Sequence, residues 1–141
     1  MGLVRVFWDS NLFIYFFQGR SEFRAETRGL RTRMRLRGDT LFSSVLTLGE
    51  LLAGPIQSDP ALVRTLRSSL IDAATLIPFD LAAAEQFAVI RSDRGIKAPD
   101  AIQLACAAVG GCDLFVTNDE RLSRRIVPGV SIISSLRNVP I

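Results

Sequence analysis

Val4-Arg5-Val6-Phe7-Trp8-Asp9-Ser10-Asn11 begins as a β-strand and ends on an acid. Arg5 to Trp8 are mostly β-favouring residues, and residues 11–17 read as the start of a helix. A carboxylate at the carboxyl end of a first strand stands where open α/β sheets build their sites. One such Asp proves little, because Asp also caps helices. Three more acids occupy comparable places: Glu50 in Thr47-Leu48-Gly49-Glu50, Asp100 in Pro99-Asp100-Ala101-Ile102, and Asp119 in Thr117-Asn118-Asp119. Each follows an apolar run or opens a helix.

Outward from that stretch, strands alternate with helices. Strands are expected near residues 3–8, 40–45, 75–78, 114–117 and 130–134. Between them lie helices near 21–37, 47–54, 60–73, 81–94, 100–109 and 119–125. Ser21 is the expected N-cap of the first of these, with Gly29 a weak point inside it. Asp80 is expected to cap the helix from Leu81, and Pro60 and Pro99 suit first helical turns. This alternation argues for an α/β domain with a short parallel sheet of about four to five strands and helices on both faces. The strands are short and apolar, as buried parallel strands are.

The 141 residues fit one domain spanning 1–141. At 48% hydrophobic residues the chain has enough apolar surface for a sizeable core and does not read as disordered. No apolar run approaches the ~20 residues of a membrane helix. Asp9 lies close to the first apolar run, which makes a poor signal peptide, so no membrane and a cytoplasmic location are expected. Cys106 and Cys112 have no histidine to join them in a zinc site, and Cys106 reads as core. The chain contains no histidine, which excludes a Ser-His-Asp triad and a Cys-His pair. Hydrolysis would fall to carboxylates, metals or the single lysine, Lys97.

A parallel sheet gathers the loops at its carboxyl edge on one side, so Asp9, Glu50, Asp100 and Asp119 can share one crevice. Carboxylates crowded in a dry pocket repel and take up protons unless cations offset them. All-oxygen ligands favour Mg²⁺, or Mn²⁺ as its substitute, over zinc. Each acid also has a plainer reading. Asp9 and Asp119 fit caps, Glu50 fits a capping box with Thr47, and Asp100 suits a helix start. It is the four together that point to a metal centre. Arg24, Arg28, Arg31 and Arg35 recur at three- and four-residue steps and share one helix face. That face reads as a solvated surface, as a patch bound to an acidic protein partner, or as an RNA-backbone contact, since the guanidinium fork matches phosphate.

Four acids in this order on an alternating scaffold resemble the PIN-domain nucleases, in particular the VapC-type toxins of toxin–antitoxin pairs. The resemblance rests on Phe7-Trp8-Asp9-Ser10-Asn11, Thr47-Leu48-Gly49-Glu50-Leu51, Pro99-Asp100-Ala101-Ile102-Gln103-Leu104-Ala105 and Leu114-Phe115-Val116-Thr117-Asn118-Asp119. Trp8 departs from it, standing where a smaller aliphatic is more usual. The resemblance implies a three-layer α/β/α PIN-like domain. It makes Asp9, Glu50, Asp100 and Asp119 catalytic, metal-binding acids, with Asn11, Thr117 and Ser10 as polar helpers. It also implies a Mg²⁺- or Mn²⁺-dependent endoribonuclease that cleaves RNA phosphodiester bonds with metal-activated water. A cognate antitoxin would inhibit the enzyme, which would form a homodimer. The alternative is a non-catalytic module of the same fold that binds RNA or protein.

Overall fold

The computed structural model describes residues 3–18 and 22–141. The elements follow in the order β1 (Arg5–Trp8), α1 (Ser10–Phe17), α2 (Arg24–Arg37), β2 (Thr40–Ser44), α3 (Val45–Ala53), α4 (Pro60–Ala73), β3 (Thr75–Ile77), α5 (Leu81–Ile90), α6 (Ala98–Val109), β4 (Leu114–Thr117), α7 (Glu120–Ser123) and β5 (Ile132–Ser135). The five strands form one parallel sheet in the order β3-β2-β1-β4-β5. The central strand β1 registers Phe7 against Phe42 on one side and Phe115 on the other.

Alternation along β1 sends its side chains to two cores, as the strand pleat requires. Phe7 joins Phe42, Phe115, Ala83, Leu104 and Cys106 in the layer under α5 and α6. Its ring stacks on Phe115 with centroids 5.1 Å apart. Val6 and Trp8 face the other way, onto Leu12, Phe13, Leu30, Met34 and Leu70 of α1, α2 and α4. Helices on both faces complete a three-layer α/β/α domain with the short parallel sheet read from the sequence. Among the described residues no helix is long and apolar enough to cross a membrane. Cys106 and Cys112 are buried and free, and burial pushes their thiols up to about 11 and about 12.

Local chemistry sets the boundaries. Asp59 accepts from Leu62 N at 3.1 Å and Asp80 from Ala83 N at 2.9 Å, so both act as N-caps. Helix α5 stops at Ile90, short of the expected 94. There Ser92 Oγ donates to Val89 O at 2.7 Å and Asp93 accepts from Gly95 N at 2.9 Å, which turns the chain. Strand β2 passes directly into α3 at Val45, two residues before the expected start. Helix α2 runs from Arg24, while the cap expected at Ser21 lies outside the described residues.

The sheet order changes direction at β1. From there the chain builds outward through β2 and β3, and later through β4 and β5 on the other side. The crevice at the carboxyl ends of β1 and β4 is therefore the topological switch point of the sheet, where such folds bind ligands.

Candidate functional site

Asp9 follows β1 at that switch point and is 8% exposed. It caps α1, accepting from Ser10 N at 2.9 Å. Its other oxygen accepts from Thr117 Oγ1, at the end of β4, at 2.9 Å. Thr117 in turn accepts from Asp119 N at 3.1 Å, so one hydroxyl ties two of the acids together. Asp119 caps α7, accepting from Arg121 N and Leu122 N. For Asp9 and Asp119, the capping role and a place at the crevice are compatible.

The capping-box reading of Glu50 does not hold. Helix α3 starts at Val45, so Thr47 is its third residue, and Ser44 is the N-cap with no side-chain capping bond. Thr47 instead turns inward and is fully buried. The Glu50 Oε1 accepts from Ser10 Oγ at 2.6 Å, within the range of a charge-assisted bond. Asp100 stands in the first turn of α6 and has no hydrogen-bond partner among the described residues. It borders a cleft of about 50 Å³ with Gly95, Lys97, Asp119 and Arg121.

The electrostatics show that the acids sense one another. Burial, above all, pushes the Asp9 carboxyl up to about 6. The Thr117 and Ser10 hydrogen bonds pull it down, while the charges of Asp100 and Glu50 push it up again. Burial also raises Asp100, with Asp119 and Glu50 adding to the rise and Lys97 and Arg121 opposing it. Among the described residues, no basic side chain forms an ion pair with Asp9, Glu50 or Asp100. Burial at Asp9 and Asp100, repulsion from the neighbouring acids and an all-oxygen donor set fit a hard divalent cation, whose charge would offset that of Asp9, Glu50, Asp100 and Asp119. Among the described residues, no three of these acids stand together as a ready-made ligand cage.

Asn11, one residue into α1, has a buried Oδ1 without a hydrogen-bond partner among the described residues. The arginine row lies along α2, away from the acids for most of its length. The start of the helix is tied to the switch point. Phe23 packs on Tyr15 with centroids 4.9 Å apart, and Tyr15 Oη accepts from Asn118 Nδ2 at 3.0 Å. Its other end, past Arg35, adjoins the opposite edge of the sheet, where Asp39 takes Val4 N at 2.9 Å. Arg28 covers the Phe16 ring, 5.1 Å from its centroid, and Arg31 is half-buried against α1 and α4.

Two features escaped sequence reasoning. Lys97 and Arg121 stand beside Asp100, because the turn after α5 and helix α7 meet there. Behind Glu50 lies a buried polar string of Ser10, Ser43, Ser44, Thr47 and Gln103. Its signal was present in the sequence: three hydroxyls interrupt the apolar run from Leu41 to Leu48, and Gln103 interrupts an Ala-rich helix one turn after Asp100.

The sequence profile of the PIN domain matches residues 6–126. No curated protein matches the chain by sequence. Among solved structures it is similar to VapBC2 from Rickettsia felis bound to a DNA fragment from their promoter. That match has 17% identity and a TM-score of 0.70 over 94% of this chain and 98% of the other. It is similar to DNA-bound VapBC from Salmonella typhimurium at 23% identity and a TM-score of 0.68, over 94% and 98% of the two chains. A toxin–antitoxin complex from Klebsiella pneumoniae matches at 22% identity and a TM-score of 0.65, over 89% and 94%. At these identities the likeness is one of fold.

Proposed function

Because the chain belongs to the PIN-domain family, we propose that it is a divalent-metal-dependent endoribonuclease and the toxin of a toxin–antitoxin pair, with residues 1–141 acting as one nuclease domain. The observation that carries this reading is the gathering of acids around Asp9 at the switch point, close enough that Asp100 and Glu50 push its buried carboxyl up, with no basic side chain among the described residues ion-paired to Asp9, Glu50 or Asp100. Asp9, Glu50, Asp100 and Asp119 are the residues that would hold Mg²⁺ or Mn²⁺. When bound, the ion supplies positive charge for the phosphodiester and acidifies nearby water.

The chain's own residues do the rest. Thr117 and Ser10 N hold Asp9 in one orientation, and Ser10 Oγ does the same for Glu50. Asp119 is fixed by two backbone amides of α7. Lys97 and Arg121 flank Asp100 and would draw an RNA phosphate toward the acids, which alone would repel it. Arg24 and its row along α2 would extend that attraction down the backbone of a longer RNA. Cleavage calls for no histidine, in keeping with a chain that has none.

The likeness to a toxin–antitoxin complex supports an antitoxin as partner, and a homodimer is the assembled form proposed with it. The test is cleavage of total cellular RNA by purified protein with Mg²⁺ or Mn²⁺, run beside EDTA and Asp9→Asn controls. Discrete fragments that vanish in both controls are expected. Intact RNA with a folded, antitoxin-free protein that also binds no metal at millimolar concentration would instead mark a non-catalytic binding module.

A further inference from the structure

Gln103 is 1% exposed, in the middle of the apolar face of α6. Its amide is fully used. Nε2 donates to Ser10 Oγ at 2.9 Å and to Thr47 Oγ1 at 2.7 Å, while Oε1 accepts from Ser44 Oγ. Ser10 Oγ and Thr47 Oγ1 are 3.0 Å apart, and Ser43 Oγ lies 2.8 Å from Thr47 Oγ1.

Each hydroxyl has a single proton, so the order of donation can be followed. The amide hydrogens of Gln103 occupy one lone pair on Ser10 and one on Thr47. Thr47 gives its proton to Ser10, and Ser10 gives its own to Glu50 Oε1 at 2.6 Å. With the amide turned over, its oxygen would face both hydroxyls and compete with Glu50 for Ser10's proton. In the orientation observed, the Ser44 hydroxyl donates to Oε1 and anchors the far side of the amide. Glu50 is otherwise exposed and carries a long, rotamer-rich side chain, so a pre-set donor is what confines it.

We infer that Gln103 is a positioning residue: its amide aligns the Ser10 and Thr47 hydroxyls so that Ser10's only proton is committed to Glu50, fixing that carboxylate in the site. Helix α6 thus delivers an acid, Asp100, and, one turn later on the same face, the amide that sets a second acid contributed by α3. The inference rests on the nuclease reading for its consequence but not for its geometry.

The test combines a double-mutant cycle with a structural readout. Mn²⁺ affinity is measured by calorimetry for wild type, Gln103→Met, Glu50→Ala and the double variant. Crystal structures of metal-free wild type and Gln103→Met are compared alongside. Gln103→Met should weaken Mn²⁺ binding about tenfold when Glu50 is present and less than about twofold when it is absent. In the metal-free variant the contact between Ser10 Oγ and Glu50 Oε1 should be lost. Equal weakening in both backgrounds, or a retained contact, overturns the inference. If wild type binds no Mn²⁺, the nuclease reading fails, while the pair of metal-free structures still decides the role of Gln103. Should Gln103→Met not fold, Ser44→Ala frees the same amide and is expected to weaken Mn²⁺ about threefold. An unchanged affinity with the Ser10–Glu50 contact intact would then overturn the inference.

Discussion

The two halves of the acidic crevice are built differently. Asp9 and Glu50 are held by hydroxyls and a backbone amide from inside the fold, and Asp9 is nearly sealed from solvent. Asp100 and Asp119 face a cleft bordered by Lys97 and Arg121, with Asp119 half-buried and Arg121 Nε 4.0 Å from its carboxylate. The inner half is hydrogen-bonded from within and, at Asp9, desolvated. The outer half is more open, with positive charge at hand. Under the proposed function, the inner half would fix where charge must be neutralised and the outer half would accommodate substrate.

The sharpest way to break that contrast is to remove the inner carboxylate. Asp9→Asn should cut RNA cleavage on the order of 10³-fold, because metal-derived charge stabilisation is worth several kcal/mol. Its circular dichroism should match that of wild type. Wild-type rates in the variant would show that the inner half carries no chemistry.

The inner half should also leave a signature in the stability of the chelated protein. Asp9 is raised from 3.8 to about 6, so between those values the folded state keeps a proton that the unfolded state has lost. Stability contributed by this group is therefore full below pH 4 and declines as pH rises toward 6, by about 3 kcal/mol at most. Denaturant titrations across that range should show the decline, and Asp9→Asn should flatten it. A stability that climbs over this range in wild type relative to the variant would contradict the burial of Asp9.

Thr117→Val sharpens the comparison, since it removes the hydroxyl that joins the two halves. Mn²⁺ affinity measured by calorimetry should drop about tenfold, as for other loss of outer support to a metal-binding group. The smallest effect belongs to the rim. Lys97→Ala or Arg121→Ala should raise KM for RNA a few-fold, leave kcat near wild type, and reduce the slope of log affinity against log salt by about 1. A loss confined to kcat would move these cations from the rim into the chemistry.

Much of the fold was legible because its signals are local. Short apolar strands, a turn, and Asp or Pro at helix starts mark β1, β4, α4 and α6 within a residue or two. Asp9, Asp100 and Asp119 stood out because each sits at or near such a junction, whereas Glu50 lies inside α3. The capping box at Thr47 misled for an instructive reason. Its spacing was right, but β2 runs straight into α3, so the supposed cap became a buried hydroxyl inside the helix.

By itself, the sequence determined the alternating scaffold, the parallel sheet and the junction positions of Asp9, Asp100 and Asp119, since strand and helix periodicity and caps act over a few residues. Only the tertiary structure decided what supports those acids. Gln103 reaches Ser10 across 93 positions and Thr117 reaches Asp9 across 108. No local pattern encodes such pairs. They arise because buried hydroxyls and amides must find partners, and the parallel sheet brings the ends of distant strands and helices to one edge.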